Sequence, residues 1–433
     1  MGCSDSKGLT VRETTINNKT AQQNLSKYEE SKVEQKKSTK NNVILTENNI
    51  IKDDTNKEHK NNEYKDKINL IYYANFNAIF NIFGEIFVKN NKDNIYLIIN
   101  GQQNELVNKF RLNQRVNNIT IVVKNKLTNL SKMFNGCNLL IDFSELKYLN
   151  VSQTEDFSYM FSGYSYLTDI NFLKNWNVSN GVNFESIFLY CPSLIDIKAL
   201  ENWDVSNCKN FKCMFFNCSS LSNLKPLHNW NVSNGTIFER MFSNCSKLTD
   251  ISALQNWNVS KCINFNSMFN ECSNITSFIP LQNWNVSNGK NFSNMFKKCT
   301  SLLDSRGFEN WDVSNANNFS GIFYECSKLN EIESLMNWEV SNCNYFSSMF
   351  YGCSSLLNLK PLQKWNVSNG IKFGFMFYKC SNLLDIHDIE NWNVSKGTNF
   401  ESMFGECSKL SVMKSIQKWN ISKEQLELIT NKN

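Results

Sequence analysis

Proline and histidine are scarce: 433 residues contain four prolines and three histidines, with only sixteen glycines. That is too little proline and glycine for a collagen-like or proline-rich linker chain. His59 lies in a polar N-terminal stretch, while His228 and His387 occupy unrelated positions of the repeat described below. No nucleophile–base pair can be assembled from them, and no phosphate-binding glycine loop accompanies them. The expectation is a chain with no enzymatic activity, no cofactor and no small-molecule substrate. Charge of one sign is also missing, since 45 basic side chains meet 40 acidic ones, a formal +5. Nucleic-acid or membrane binding by bulk charge is not predicted. No run reaches the ~18–20 apolar residues that span a bilayer, and no apolar core near the N-terminus reads as a secretory signal. A cytosolic chain is expected.

What is present is a period. All ten tryptophans, from Trp176 to Trp419, lie 27 residues apart. One unit reads Trp203-Asp204-Val205-Ser206-Asn207, then Phe211, Met214-Phe215, Cys218, Leu221, Leu224, Leu227 and the next Trp230. The register recurs at Phe238, Met241-Phe242, Cys245, Leu248, Ile251 and Leu254, and nine of every 27 positions are fixed and apolar. A unit two-thirds polar cannot cover its own apolar face, whereas stacked neighbours cover one another, so the period predicts a solenoid. Phe-x-x-Met-Phe-x-x-Cys has the i, i+3, i+4, i+7 spacing of a short outer helix. The Leu-x-x-Ile-x-x-Leu-x-x-Trp-x-Val half reads as extended, and Asn-Gly pairs such as Asn180-Gly181 supply the turn between halves.

Both ends differ. Residues 1–66 contain no Trp or Phe and carry twelve Lys/Arg against eleven Asp/Glu, too little apolar surface to offset the entropy of ordering. They read as a disordered tether. Residues 67–127 read as a small β cap domain, with strands expected at Ile68–Tyr73, Ala78–Phe83, Glu85–Val88, Ile95–Ile99 and Ile119–Val123, and a hairpin turn at Asn100-Gly101. The repeats run over residues 128–422. Residues 423–433 form a C-terminal cap, because Ser422 with Gln425 resembles a capping box. Inside the repeats, Tyr164 stands at a cysteine position, and Ser305-Arg306-Gly307-Phe308 predicts a local bulge.

At these residues the chain resembles the BspA-like leucine-rich repeats of bacterial and protist surface proteins, whose unit reads W-[DN]-x-S-N-x-x-x-[MF]-x-x-M-F-x-x-C-x-x-L. The likeness covers about 290 of the 433 residues. It implies an α/β repeat fold, a leucine-rich-repeat solenoid of about ten 27-residue units. It also implies an adhesive or protein-binding role without enzymatic activity in the repeats.

The remaining motifs are chemical. Met1-Gly2-Cys3-Ser4-Asp5-Ser6 fits N-myristoylation of Gly2, with Cys3 as a palmitoylation site, and two acyl chains make anchoring stable. The cysteines from Cys137 to Cys407 share the period of the tryptophans and read as a buried thiol ladder rather than disulfides. Cys208, Cys213, Cys218 and His228 superficially resemble a zinc cluster, but their positions fall on the turn, the outer helix surface and the core, so no metal is expected. Asn-Val-Ser recurs at Asn177, Asn231, Asn258, Asn285, Asn366 and Asn393, read as backbone-bonding turns rather than glycosylation sites. Residues that change between units, Asp196, Lys198, Asp250, Glu331, Glu333, Lys360, Asp385 and His387, form a mixed-charge strip of the kind repeat proteins use for partners. The reading is a lipid-anchored protein-binding scaffold on the cytoplasmic face of a membrane, without nucleic acid as a partner. The alternative is a cell-surface or secreted adhesin for host or matrix proteins.

Overall fold

The computed structural model describes residues 66–74, 77–410 and 414–430; Gly2, Cys3 and nearly all of the expected tether lie outside the described residues. At the N-terminal side, β-branched runs punctuated by Asn and Gly form strands β1 (Asp66–Tyr73), β2 (Ala78–Asn81), β3 (Ile95–Ile99), β4 (Gln102–Glu105), β5 (Lys109–Leu112), β6 (Val116–Val123) and β7 (Leu140–Asp142). Five of them make an antiparallel sheet in the order β4-β3-β6-β1-β7, and β2 pairs with β5. The Asn100-Gly101 hairpin forms as expected: φ is 53° and 76° at the two residues, with Ile99 opposite Gln102.

The expected strand at Glu85–Val88 is instead the start of a helix, α1 (Glu85–Asn91). Phe83 and Phe87, four residues apart, place their rings 5.6 Å from one another and bury that face. Asn91 Nδ2 then donates to Phe87 O at 3.1 Å and to Asn129 O at 2.8 Å, which ties the helix to the repeats. Gly84 fits only without a side chain, since a Cβ there would lie 2.0 Å from Lys132 O.

From Asn129 to Asn399, parallel bridges join residues 27 apart, as in Asn183–Asn210 and Asn264–Asn291. Each pass of the chain lies against the next. The architecture is a tandem repeat of bridges and turns, with α-helix among the described residues only at α1 and at α2 (Lys423–Thr430).

The outer helix expected at Phe-x-x-Met-Phe-x-x-Cys does not form. Alternate N–H groups there leave the pass: Phe184 donates to Asn210 O (3.0 Å), Ser186 to Lys212 O (2.8 Å), Phe188 to Met214 O (3.1 Å) and Tyr190 to Phe216 O (2.8 Å). The N–H groups between them close local turns, Ile187 onto Phe184 O and Leu189 onto Ser186 O. Such alternation requires left-handed backbone at Ser186 (φ 58°) and Tyr190 (φ 57°), and the following passes repeat it. An α-helix would spend every N–H four residues back and leave the neighbouring pass unpaired.

The other half is not extended either. Short 3₁₀ turns stand at Lys198–Leu200, Lys225–Leu227, Ser252–Leu254 and their equivalents. Leu194, Ile197, Leu200 and Trp203 recur every three residues and are all buried, the spacing of a 3₁₀ winding rather than a strand. Gly181 also departs from expectation. Its N–H closes a turn onto Val178 O (2.7 Å), but Cys208 closes the same turn onto Val205 O (2.9 Å) without glycine. Gly181 leaves room for a ring, because a Cβ there would lie 2.6 Å from Phe184 Cζ.

One apolar cluster runs from Ile68 to Ile429. Phe161, Phe188, Phe215 and Phe242 stack at centroid spacings of 6.0, 5.8 and 5.8 Å. Each tryptophan also crosses the interface between passes: Trp284 Nε1 donates to Leu254 O at 2.9 Å, and the same bond runs from Trp176 to Leu146 and from Trp419 to Ile389. Irregular positions are compensated. At the cysteine position Tyr164 offers its hydroxyl to Phe134 O (3.0 Å), the carbonyl a thiol would reach. Where Ser305 replaces an apolar residue, Phe308 fills the gap, 4.9 Å from Phe296 and 4.8 Å from Trp311, and Gly307 takes φ 105° in place of the usual 3₁₀ turn. At the far end the capping box forms, with Gln425 N–H on Ser422 Oγ (3.2 Å) and Ser422 N–H on Gln425 Oε1 (3.0 Å). Helix α2 then accepts Ser402 N–H at Leu428 O (2.8 Å).

Two predictions test this packing. Trp284→Ala removes a buried ring and orphans the Leu254 carbonyl, so denaturant unfolding should show a loss of ~3–5 kcal/mol, against near neutrality for exposed Lys360→Ala. Equal losses would refute the packing. Ser348 has φ 56°, at the position that the preceding pass fills with Gly321. Ser348→Gly should therefore stay within ~0.5 kcal/mol of the parent, while Ser348→Val should cost ~1–2 kcal/mol, the penalty of a branched residue in left-handed backbone.

Candidate functional site

The residues nominated as a partner-binding strip fall on two parallel rows of one exposed face. The first row contains Asp196, Asp250, Glu331 and Asp385, each immediately before a buried Ile. It carries bridges of its own, Asp169–Asp196, Asn223–Asp250 and Asp304–Glu331. The second row, two residues on, contains Lys198, Glu333, Lys360 and His387 at the start of the 3₁₀ turns. All eight residues are exposed. Asp385 and His387 meet side chain to side chain, 3.1 Å from Asp385 Oδ1 to Nδ1, and the passes that hold the others are distributed along the stack.

The first row turns out to do structural work. Asp196 Oδ1 accepts Lys198 N–H (2.8 Å), Asp250 accepts Ser252 N–H (2.8 Å) and Asp385 accepts His387 N–H (3.1 Å). Short acidic and amide side chains close such turns on their own backbone, and Asn223 and Asn358 do it in other passes. These carboxylates are therefore partly committed to the fold. The second row gives the face its varying chemistry, through Lys198, Lys225, Ser252, Ile279, Arg306, Glu333, Lys360 and His387.

Sequence reasoning missed the apolar part of this face. Ile195, Leu303, Leu357 and Leu384, directly before the first row, are about half exposed. Other passes hold Thr168, Ser222, Thr249, Thr276 or Asn330 there, and an apolar residue at an otherwise polar position was the available signal. Also missed was an asparagine ladder on another edge. Asn180 Nδ2 donates to Ser152 O, Asn207 to Ser179 O and Asn234 to Ser206 O, at 2.7–2.8 Å.

The Asn-Val-Ser triplets make the expected turns, Asn177 Oδ1 accepting Ser179 N–H at 3.1 Å and Asn231 accepting Ser233 N–H at 3.1 Å. The periodic cysteines are free thiols, buried from Cys137 to Cys380 and half-buried at Cys407. Cys218 Sγ lies 3.2 Å from Phe188 O and Cys245 Sγ 3.2 Å from Phe215 O. Burial pushes the Cys191 and Cys272 thiols up to about 12, so the protonated S–H remains available to donate. Cys213, expected on an outer helix surface, is fully buried in left-handed backbone (φ 54°), and Cys208, expected on the turn, closes it onto Val205 O with its own side chain buried.

With this geometry in view, four overlapping segments, residues 104–225, 171–279, 222–334 and 331–427, match the family described as "Mycoplasma protein of unknown function, DUF285". Together they cover about three quarters of the chain. The chain belongs to that family. The overlaps are those of tandem repetition, in agreement with the stacked passes. No curated protein and no solved structure gives a significant match.

The turn-closing carboxylates make stability depend on acid. Backbone and hydroxyl hydrogen bonds from Ser252 hold Asp250 below the usual carboxylate range, and those from Ser314 do the same for Asp312. A carboxyl whose folded pKa is depressed contributes stability above its unfolded value of about 3.9 and loses it as pH falls through the folded value. The double substitution Asp250→Asn, Asp312→Asn should fold normally at neutral pH, because asparagine already closes the turns at Asn223 and Asn231. Its thermal midpoint should drop less than that of the parent between about pH 5 and pH 2. Superimposable pH profiles would contradict the assignment.

Proposed function

We propose that the passes form a leucine-rich-repeat solenoid of 27-residue units of the BspA-like type, and that it works as a non-enzymatic protein-binding scaffold. In this reading acyl chains on Gly2 and Cys3 anchor it to the cytoplasmic face of a membrane, and the stretch before Asp66 serves as tether. The observation that supports it is a division of labour among columns. Recurrent Trp, Cys and Asn side chains are consumed in bonds between passes, whereas the exposed second row changes from Lys198 to Glu333 to His387. Repeat proteins acquire partners through such variable strips on an invariant core.

The second reading, a cell-surface or secreted adhesin, is favoured by exposure of all six Asn-Val-Ser asparagines, which a glycosylating enzyme could reach. Labelling with a myristate analogue separates the two. Gly2-dependent label, lost in Gly2→Ala, is the result expected for the anchored scaffold, and its absence would remove the anchor. A gel shift on glycosidase treatment would favour the adhesin. The face itself is tested by the charge reversals Lys198→Glu, Glu333→Lys and Lys360→Glu in one chain. Its melting should be unchanged and its recovery of partners from native cells lost; unchanged recovery would exclude the face.

A further inference from the structure

The histidine of the second row stands between two carboxylates. Asp385 Oδ1 lies 3.1 Å from His387 Nδ1, and the same oxygen accepts His387 N–H. A carboxylate offers only lone pairs, so in the neutral imidazole Nδ1 carries the proton and donates it to Asp385. The lone pair of Nε2 is then left facing Asp388 Oδ1 at 3.9 Å. One ligand atom from each of Asp385, His387 and Asp388 thus lies within 4.8 Å of the other two, and the Asp388 side chain is held largely buried beneath the ring.

We propose that Asp385, His387 and Asp388 form a zinc-binding site, with His387 Nε2 and Asp388 Oδ1 as ligands and Asp385 as the positioning residue. The gap of 3.9 Å admits an ion about 2.1 Å from each ligand atom. A carboxylate on the distal ring nitrogen is the arrangement that orients metal-bound histidines and raises their basicity. An imidazole–carboxylate pair suits zinc over magnesium or calcium, which take all-oxygen shells. The remaining positions open to solvent, since the imidazole is two-thirds exposed.

The test is calorimetric titration of the full chain, kept reduced, with Zn²⁺ alone, alongside His387→Gln and Asp385→Asn. The parent should take up one ion per chain. His387→Gln, at an exposed position, should keep its melting temperature and lose that uptake. Asp385→Asn, which retains the turn-closing oxygen, should weaken binding ~10–100-fold, the usual effect of removing an outer-shell partner. Uptake unchanged in His387→Gln would assign the ion to another group, such as the thiols, and overturn the site. Absence of uptake by the parent at millimolar zinc, or equally tight uptake of Mg²⁺, would overturn it as well.

Discussion

Everything in the stack depends on hydrogen bonds that leave one pass and end on the next at a fixed sequence offset. Phe184, Ser186, Phe188 and Tyr190 give their N–H groups to the following pass, and Trp203 Nε1 and Cys218 Sγ reach carbonyls of the preceding one. Once these offsets are set, side chains of one type stand above one another and columns form without further instruction. Phe rings then stack at 5.1–6.5 Å, and the indoles of Trp338 and Trp365 lie 6.4 Å apart within 3° of parallel. The cost is left-handed backbone at two residues per pass, most of them not glycine, on the order of 1–2 kcal/mol each. That strain persists because a single relaxed residue would withdraw its N–H from the neighbour and leave a carbonyl in the core unsatisfied.

This explains which residue types recur. Tryptophan fills volume and carries one donor, cysteine is small and carries one weak donor, and both meet a carbonyl 30 residues back. Tyr164 replaces cysteine without disturbing the stack because its hydroxyl reaches Phe134 O from farther away. Ser305 is tolerated for a different reason: Phe308 supplies the missing volume three residues later, and Ser305 Oγ receives Ser334 N–H at 3.3 Å. The rule is conservation of volume and of donors per pass rather than of identity.

The period, the stacking and the burial of the indoles were legible because burial leaves its mark on composition at fixed positions. Backbone conformation was not. The spacing i, i+3, i+4, i+7 that reads as α-helix is equally that of two consecutive turns, and nothing in Phe211-Lys212-Cys213-Met214 announces φ 54° at Cys213. The spacing of three through Leu194, Ile197, Leu200 and Trp203 did contain the answer, since a strand buries every second residue and not every third. Gly181 misled in the opposite way, for its lack of a side chain accommodates the Phe184 ring, a contact that no local pattern can express. On the exposed face the variable positions could be recognised from the sequence. That Asp196 and Asp250 spend an oxygen on their own backbone could not, because a carboxylate on a surface and one closing a turn are the same letter.

The face can vary because the core does not. In a stack each pass touches only its neighbours, so a substitution is felt over two interfaces and no farther. On the first row Asp, Asn, Ser and Glu alternate under one constraint, an acceptor for the turn at most passes, and on the second row even that constraint is absent. Lys198, Ile279, Arg306, Glu333 and His387 all start equivalent positions with the backbone unchanged or, at Arg306, with a turn opened locally by Gly307. Chemical character therefore changes along the face while its spacing is dictated by the bonds beneath it. A surface with fixed pitch and free composition can be altered one residue at a time without refolding, which is the physical condition for a recognition surface to diversify.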